Sequence, residues 1–214
     1  LYQLLKPCQS LFKLSKMKQP DLENFVGIHN RKYCDGGQCI RLYKTFMKKK
    51  DPEAANIVMG HNEEDLLGLG KIFPLLSLRK LYDGEYHPKQ CVILEQELKI
   101  VIELSAAAPV NVSCGNSDFY LSVNGYEARM LVHLKEGKLR QYYRNYKDYE
   151  FIPGEDTAMP KSITRYMDKS LKIATTPQTC YTWFNCDEDF LNNEKKQMQY
   201  LTHTLPFFLD NLNK

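Results

Sequence analysis

The sequence predicts an α+β protein: a helical first part followed by a part built on an antiparallel sheet. Two observations carry this. From Leu1 to about Leu81, apolar residues recur at spacings of three and four, the period of a helix face. Beyond about residue 85 they alternate, as on a strand with one buried face. We place the boundary in Tyr82–Lys89, where Asp83-Gly84 and His87-Pro88 signal turns. The expected domains are residues 1–86 and 87–214. Residues 1–81 should be almost wholly helical, and 91–151 should hold the sheet.

Residues 1–16 read as a helix interrupted near Pro7, and a short helix starts at Pro20-Asp21 and ends at Gly27. Residues 28–35 form a polar loop in which His29, Asn30 and Arg31 either meet solvent or touch a phosphate. Gly36-Gly37 break the chain. Gln38–Lys50 follows as a helix with Ile40, Tyr43 and Phe46/Met47 on one side. Its terminal Lys48, Lys49 and Lys50 complement the helix dipole, or meet a nucleic-acid backbone.

The longest helix is expected from about Pro52 to Leu78, with Asp51 as N-cap and Pro52 in the first turn. Val58, Asn62, Leu66, Leu69, Phe73 and Leu76 would form one face of it, apolar except at Asn62. His61 and Asp65, four apart, lie side by side on that helix, on an expected partly exposed edge. They read either as a polar pair at a helix surface or as a site for a metal or a proton transfer.

In the second part, Lys99–Leu104 is a strand. Asp118–Val123, Asn124-Gly125 and Glu127–Leu134 form a hairpin. Residues 106–116 read as a loop, Glu136-Gly137 as a turn and Leu139–Tyr143 as a returning strand. Arg140, Tyr142, Tyr143, Arg144, Tyr146 and Lys147 interleave cations with aromatic rings. Such a run either packs tyrosines on the sheet or binds single-stranded nucleic acid, bases on rings and phosphates on cations. Residues 156–173 read as a helix, Thr176–Trp183 as a loop or edge strand, and Leu191–Asn213 as a final helix kinked at Pro206.

The net charge of +3 is too small to argue for nucleic acid by itself. It is uneven: residues 1–90 carry 15 Lys and Arg against 10 Asp and Glu, so a polyanion should prefer the first part. Seven cysteines, an odd number without any CxxC spacing, argue against a disulfide framework and a structural zinc site. Free thiols suit a cytoplasmic location. No apolar run is long enough to span a membrane. The chain opens on Leu1 rather than Met, so it is expected to be a processed product, a cloned fragment or part of something longer.

Asp35-Gly36-Gly37, the basic run, Asp51-Pro52-Glu53, His61-Asn62-Glu63-Glu64-Asp65 and Leu75-Leu76 follow one another in a set order. This order resembles the C-terminal half of a bacterial branch of RNase H-like 3′–5′ exonucleases of the DEDD type. The resemblance covers roughly residues 1–80. Asn145–Tyr149, Glu155–Ala158, Met167–Lys169 and Cys180–Thr182 are similar to motifs in the domain appended to those enzymes. The resemblance implies an intact enzyme dependent on Mg²⁺ or Mn²⁺ and acting on single-stranded DNA or RNA. It makes Asp65 the last metal ligand and His61 the residue that positions the attacking water. In that family a Tyr stands four residues before this Asp and a His usually five, so His61 departs from the pattern. The family's Asp-x-Glu and mid-domain acids have no counterpart before Asp65. This chain alone is therefore expected to be inactive and to need the N-terminal remainder of the same protein. The alternative is a non-catalytic module that binds nucleic acid or protein.

Overall fold

The computed structural model describes residues 1–29, 31–33 and 35–212. The chain divides into two compact units, Leu1–Leu76 and Ser77–Lys214. The α+β reading holds: helices occupy the first part and an antiparallel sheet follows.

The first unit runs through α1 (Tyr2–Leu5), α2 (Gln9–Phe12), α3 (Gln19–Phe25), α4 (Gly36–Lys49) and α5 (Pro52–Ile72). A 3₁₀ turn around Pro7 joins α1 to α2, and Lys13, with φ 55°, ends α2 in the left-handed region. Asp21 in the first turn of α3 accepts from the Lys18 N–H at 3.0 Å. Asp35 caps α4 by accepting from Gln38 N–H, so Gly36-Gly37 form its first turn rather than a break before it. Asp51 caps α5 as expected, accepting from the Glu53 and Ala54 N–H groups.

Two expectations for α5 fail. The helix ends at Ile72, because Pro74 has no N–H to give and its ring would meet the preceding turn. A 3₁₀ turn, Phe73–Leu75, replaces it, and α6 (Leu76–Asp83) starts afresh. The buried face is also a different one. Ala54, His61 and Gly68, seven apart, and then Ile72 turn inward. Leu66 and Phe73 of the expected apolar face are 63% and 62% exposed. Glycine explains the rotation. The Tyr33 ring lies against Gly60 and the Glu23 carboxylate against Gly68, where any side chain would block them.

The second unit holds β1 (Tyr86–Leu94), β2 (Glu97–Leu104), β3 (Val112–Gly115), β4 (Phe119–Asn124), β5 (Glu127–His133) and β6 (Lys138–Tyr142). After them come β7 (Tyr149–Ile152), β8 (Thr157–Pro160), α7 (Lys161–Thr164), β9 (Ile173–Ala174), β10 (Tyr181–Asn185), α8 (Glu188–Leu191) and α9 (Glu194–Asp210). Among the described residues the main sheet has the order β1-β2-β5-β4-β3, antiparallel throughout. Phe119, Leu121 and Val123 face inward opposite Val132, Met130 and Ala128, the alternation the sequence predicts. The hairpin turn is Gly125-Tyr126, one residue later than expected, because Asn124 still pairs with Glu127. Phe208 of α9 stacks on Phe119 with ring centroids 4.2 Å apart. Pro206 sits inside α9.

Three further expectations are corrected. Residues 106–116 contain β3, an edge strand too short to show a period. Strand β6 pairs with β10 rather than returning to β5. Residues 156–173 are not a helix: β7 pairs with β8 and β9, and α7 is a single turn. Ile163, Tyr166 and Leu171 are exposed and Met167 is half-buried, so the apolar residues of this stretch do not form a buried helix face. Among the described residues no helix is long and apolar enough to cross a membrane.

Candidate functional site

The first unit gathers its polar side chains where α3, the loop before α4 and α5 meet. Arg31 is the hub. Its Nε and Nη2 donate to the two carboxylate oxygens of Glu23, each at 2.8 Å. Its Nη1 donates to Asp65 Oδ1 at 2.7 Å. Gln19 Nε2 donates to Glu23 Oε1 at 2.8 Å and to the Asp65 carbonyl at 2.7 Å. Gln19 Oε1 in turn accepts from the Tyr2 hydroxyl at 2.8 Å. Glu64, one position before Asp65, accepts the backbone N–H groups of Lys32 and Tyr33, pinning the loop to α5.

His61 and Asp65 do stand one turn apart, with Nε2 to Oδ2 at 3.5 Å. The expected partly exposed edge is found for Asp65 only, whose side chain is 37% exposed; His61 is buried and its Nδ1 has no hydrogen-bond partner among the described residues. Glu23 is 2% exposed. The Arg31 guanidinium beside it holds its carboxyl below the ordinary range, and the two acids raise Arg31. Hydrogen bonding from the Gln38 backbone lowers Asp35, with a smaller contribution from His61.

The arrangement shares one cation between two carboxylates, one buried and one at the surface. It does not fit a pair of divalent ions, which need several carboxylate oxygens. Arg31 occupies Asp65 Oδ1, Arg31 and Gln19 occupy Glu23, and Glu64 is engaged by backbone. Among the described residues no group of three His, Cys, Asp or Glu is placed to hold a metal.

The partly exposed Asp65 leads to a prediction. Asp65→Asn should cost less than about 1 kcal/mol, because Arg31 keeps both Glu23 bonds and the lost pair is near the surface. Thermal unfolding followed by helix signal checks this; a loss above about 2 kcal/mol would show that Asp65 is structural.

The other expected site residues are scattered. Lys48, Lys49 and Lys50 are exposed at the end of α4, with Lys50 Nζ 5.6 Å from the Phe46 ring. Arg140 lies 4.6 Å over the Tyr181 and Trp183 rings. Tyr142 is 5% exposed and stacks on Phe207 at 3.7 Å, so its ring is packed rather than open to a base. Tyr143 stacks on Tyr149, and Arg144 pairs with Asp210 at 3.6 Å. Tyr146 and Lys147 border a concavity that Tyr149 also lines.

The sequence reading missed Glu23 and Gln19 as site residues, and took Arg31 for a loop residue that meets solvent or a phosphate rather than for the partner of two carboxylates. One signal was present: Gly60 and Gly68, eight apart, mark the helix face that also carries His61 and Asp65.

Residues 1–77 match the model of a family described as RNase_H superfamily. No curated protein and no solved structure matches the chain. The matched stretch contains every residue of the Arg31 network and supports an RNase H-like fold for the first unit.

Proposed function

We propose that the first unit belongs to a nuclease that hydrolyses phosphodiesters of single-stranded DNA or RNA, and that it supplies the helix carrying His61 and Asp65. The finer assignment is a DEDD-type 3′–5′ exonuclease dependent on Mg²⁺ or Mn²⁺. The observation that supports it is the family match over residues 1–77, within which α5 sets His61 one turn from Asp65. In this reading Arg31 orients the Asp65 carboxylate, and Asp65 orients the His61 ring.

Among the described residues no group of acids is placed to hold the metal ions that such chemistry requires, so the 214-residue protein should not degrade nucleic acid. Labelled single-stranded DNA and RNA incubated with it and Mn²⁺ should stay intact. Metal-dependent degradation abolished by Asp65→Ala would overturn that expectation. A longer gene product should show exonuclease activity that Asp65→Asn removes and His61→Ala slows less; normal rates in the Asp65→Asn protein would overturn the nuclease assignment.

A second reading, a non-catalytic binding module, has one observation in its favour: Arg31 already neutralises Asp65. The same longer product then binds single strands without shortening them.

A further inference from the structure

The concavity that Tyr146 and Lys147 border lies in the second unit, where β7, β8 and β9 form a three-stranded sheet. Its volume is 580 Å³. Lys147, Lys161, Lys169 and Lys172 line it, together with Tyr146 and Tyr149. These lysines come from four places: the 3₁₀ turn Tyr146–Asp148, the start of α7, the 3₁₀ turn Lys169–Leu171 and the residue before β9. Residues 156–173 abandon a continuous helix, and that brings Lys161, Lys169 and Lys172 to the hollow that Lys147 also lines.

The four cations do not share one role. Lys172 is largely covered, its side chain 12% exposed. Its Nζ donates to the Thr164 carbonyl at 2.6 Å and pairs with Glu150 at 2.9 Å. Glu150 also accepts from the Thr164 hydroxyl. That group fixes the floor of the hollow and uses up its one carboxylate. Lys147, Lys161 and Lys169 form no ion pair among the described residues and are exposed on its rim. Tyr149 is half-buried, one face stacked on Tyr143 with centroids 5.3 Å apart, so its ring is held as a rigid wall. Tyr146 is half-exposed opposite solvent. The Thr175 hydroxyl in the lining has no hydrogen-bond partner among the described residues.

We infer that this hollow binds the phosphates of a nucleotide, as a free mononucleotide or within a single strand, with Lys147, Lys161 and Lys169 on phosphate and the Tyr146 ring against the base. Three flexible ammonium groups around a concavity meet phosphate as point charges. An aromatic ring beside them adds a sequence-tolerant stacking surface. The choice of a nucleotide among phosphate-bearing ligands rests on the nuclease reading of the first unit; the charge and shape of the hollow do not.

The test uses the full 214-residue chain, a fluorescein-labelled ten-residue oligothymidylate and its oligouridylate counterpart, with anisotropy read across a salt series. Unlabelled mononucleotide and inorganic pyrophosphate serve as competitors. Lys147→Gln/Lys161→Gln/Lys169→Gln should weaken oligonucleotide binding at least tenfold and flatten its salt dependence by about two units of slope, since each contact on a single strand contributes about 0.7. Tyr146→Ala should weaken oligonucleotide and mononucleotide binding while leaving the salt slope unchanged. Competition by the mononucleotide identifies a nucleotide pocket, and binding of the oligonucleotide alone identifies a strand track; both support the inference. Pyrophosphate competing as well as the mononucleotide, with Tyr146→Ala neutral, overturns the nucleotide. No binding by the unaltered chain, or full binding by the triple variant, overturns the site. A Lys48→Gln/Lys49→Gln/Lys50→Gln protein that alone loses binding would do the same and leave the nuclease reading of the first unit standing.

Discussion

Glu23→Gln lowers the stability of the first unit by about 2–3 kcal/mol at neutral pH. Glu23 is buried and receives two of the guanidinium bonds of Arg31 and one from Gln19. An amide keeps the shape but offers one acceptor oxygen, so one Arg31 N–H faces an NH₂ and the cation loses its buried counter-charge. Removing one partner of a buried pair costs more than the pair contributed, because the other charge is left behind. The effect depends on pH in a defined sense. The Glu23 carboxyl is held below its ordinary 4.5 mainly by the Arg31 hydrogen bond, so the folded state binds fewer protons there than the unfolded state. Its contribution is complete above about pH 4.5 and is lost as pH falls through the depressed native value. Trp183, the single tryptophan, lies in the second unit and cannot report this. Hydrogen exchange in α3 and α5 can. Unaltered and Glu23→Gln proteins should differ in protection at pH 7 and converge as pH falls from 4.5 through the depressed native value. A constant difference across that range would remove Glu23 as the titrating group.

That network was legible in the sequence only in part. Caps and turns are written locally, so Asp51-Pro52, Asp21 and Glu136-Gly137 were readable from adjacent residues. The alternation of Phe119, Leu121 and Val123 was readable because one sheet face is buried along its length. The inward face of α5 was not, because hydrophobicity marked the wrong stripe. Leu66, Leu69 and Phe73 outweigh Gly60, His61 and Gly68 on any apolar scale, yet the glycine stripe allows the closest approach. His61 and Asp65 could be paired from spacing alone, whereas Arg31 and Gln19 reach Asp65 across 34 and 46 positions of chain, which no local pattern encodes. The partner of β6 was hidden for the same reason: β10 lies about forty residues later, and the nearby Glu136-Gly137 turn pointed back to β5.

Gly68→Ala is the sharpest test of this account, because intrinsic propensity and packing predict opposite signs. In an exposed helix interior, alanine is favoured over glycine by about 1 kcal/mol. At Gly68 a Cβ would overlap Glu23 Oε1 and come within 2.8 Å of Gln19 Nε2. The carboxylate cannot swing aside without leaving Arg31, so the clash is settled by breaking bonds rather than by turning a free side chain. We expect a net loss of about 2 kcal/mol. Gly70, two positions on in the same helix, is the control: nothing lies within 4 Å of its Cβ position, and Gly70→Ala should stabilise by about 0.5–1 kcal/mol. The decisive arm is the double variant. With Glu23→Ala the obstructing carboxylate is gone, and adding Gly68→Ala should then be neutral or stabilising. The two substitutions should couple by about 2 kcal/mol in hydrogen exchange of α5, far beyond the few tenths seen for independent sites. Additive losses would mean that Gly68 and Glu23 are not in contact, and with that the packing of α3 against the glycine face of α5 would fall.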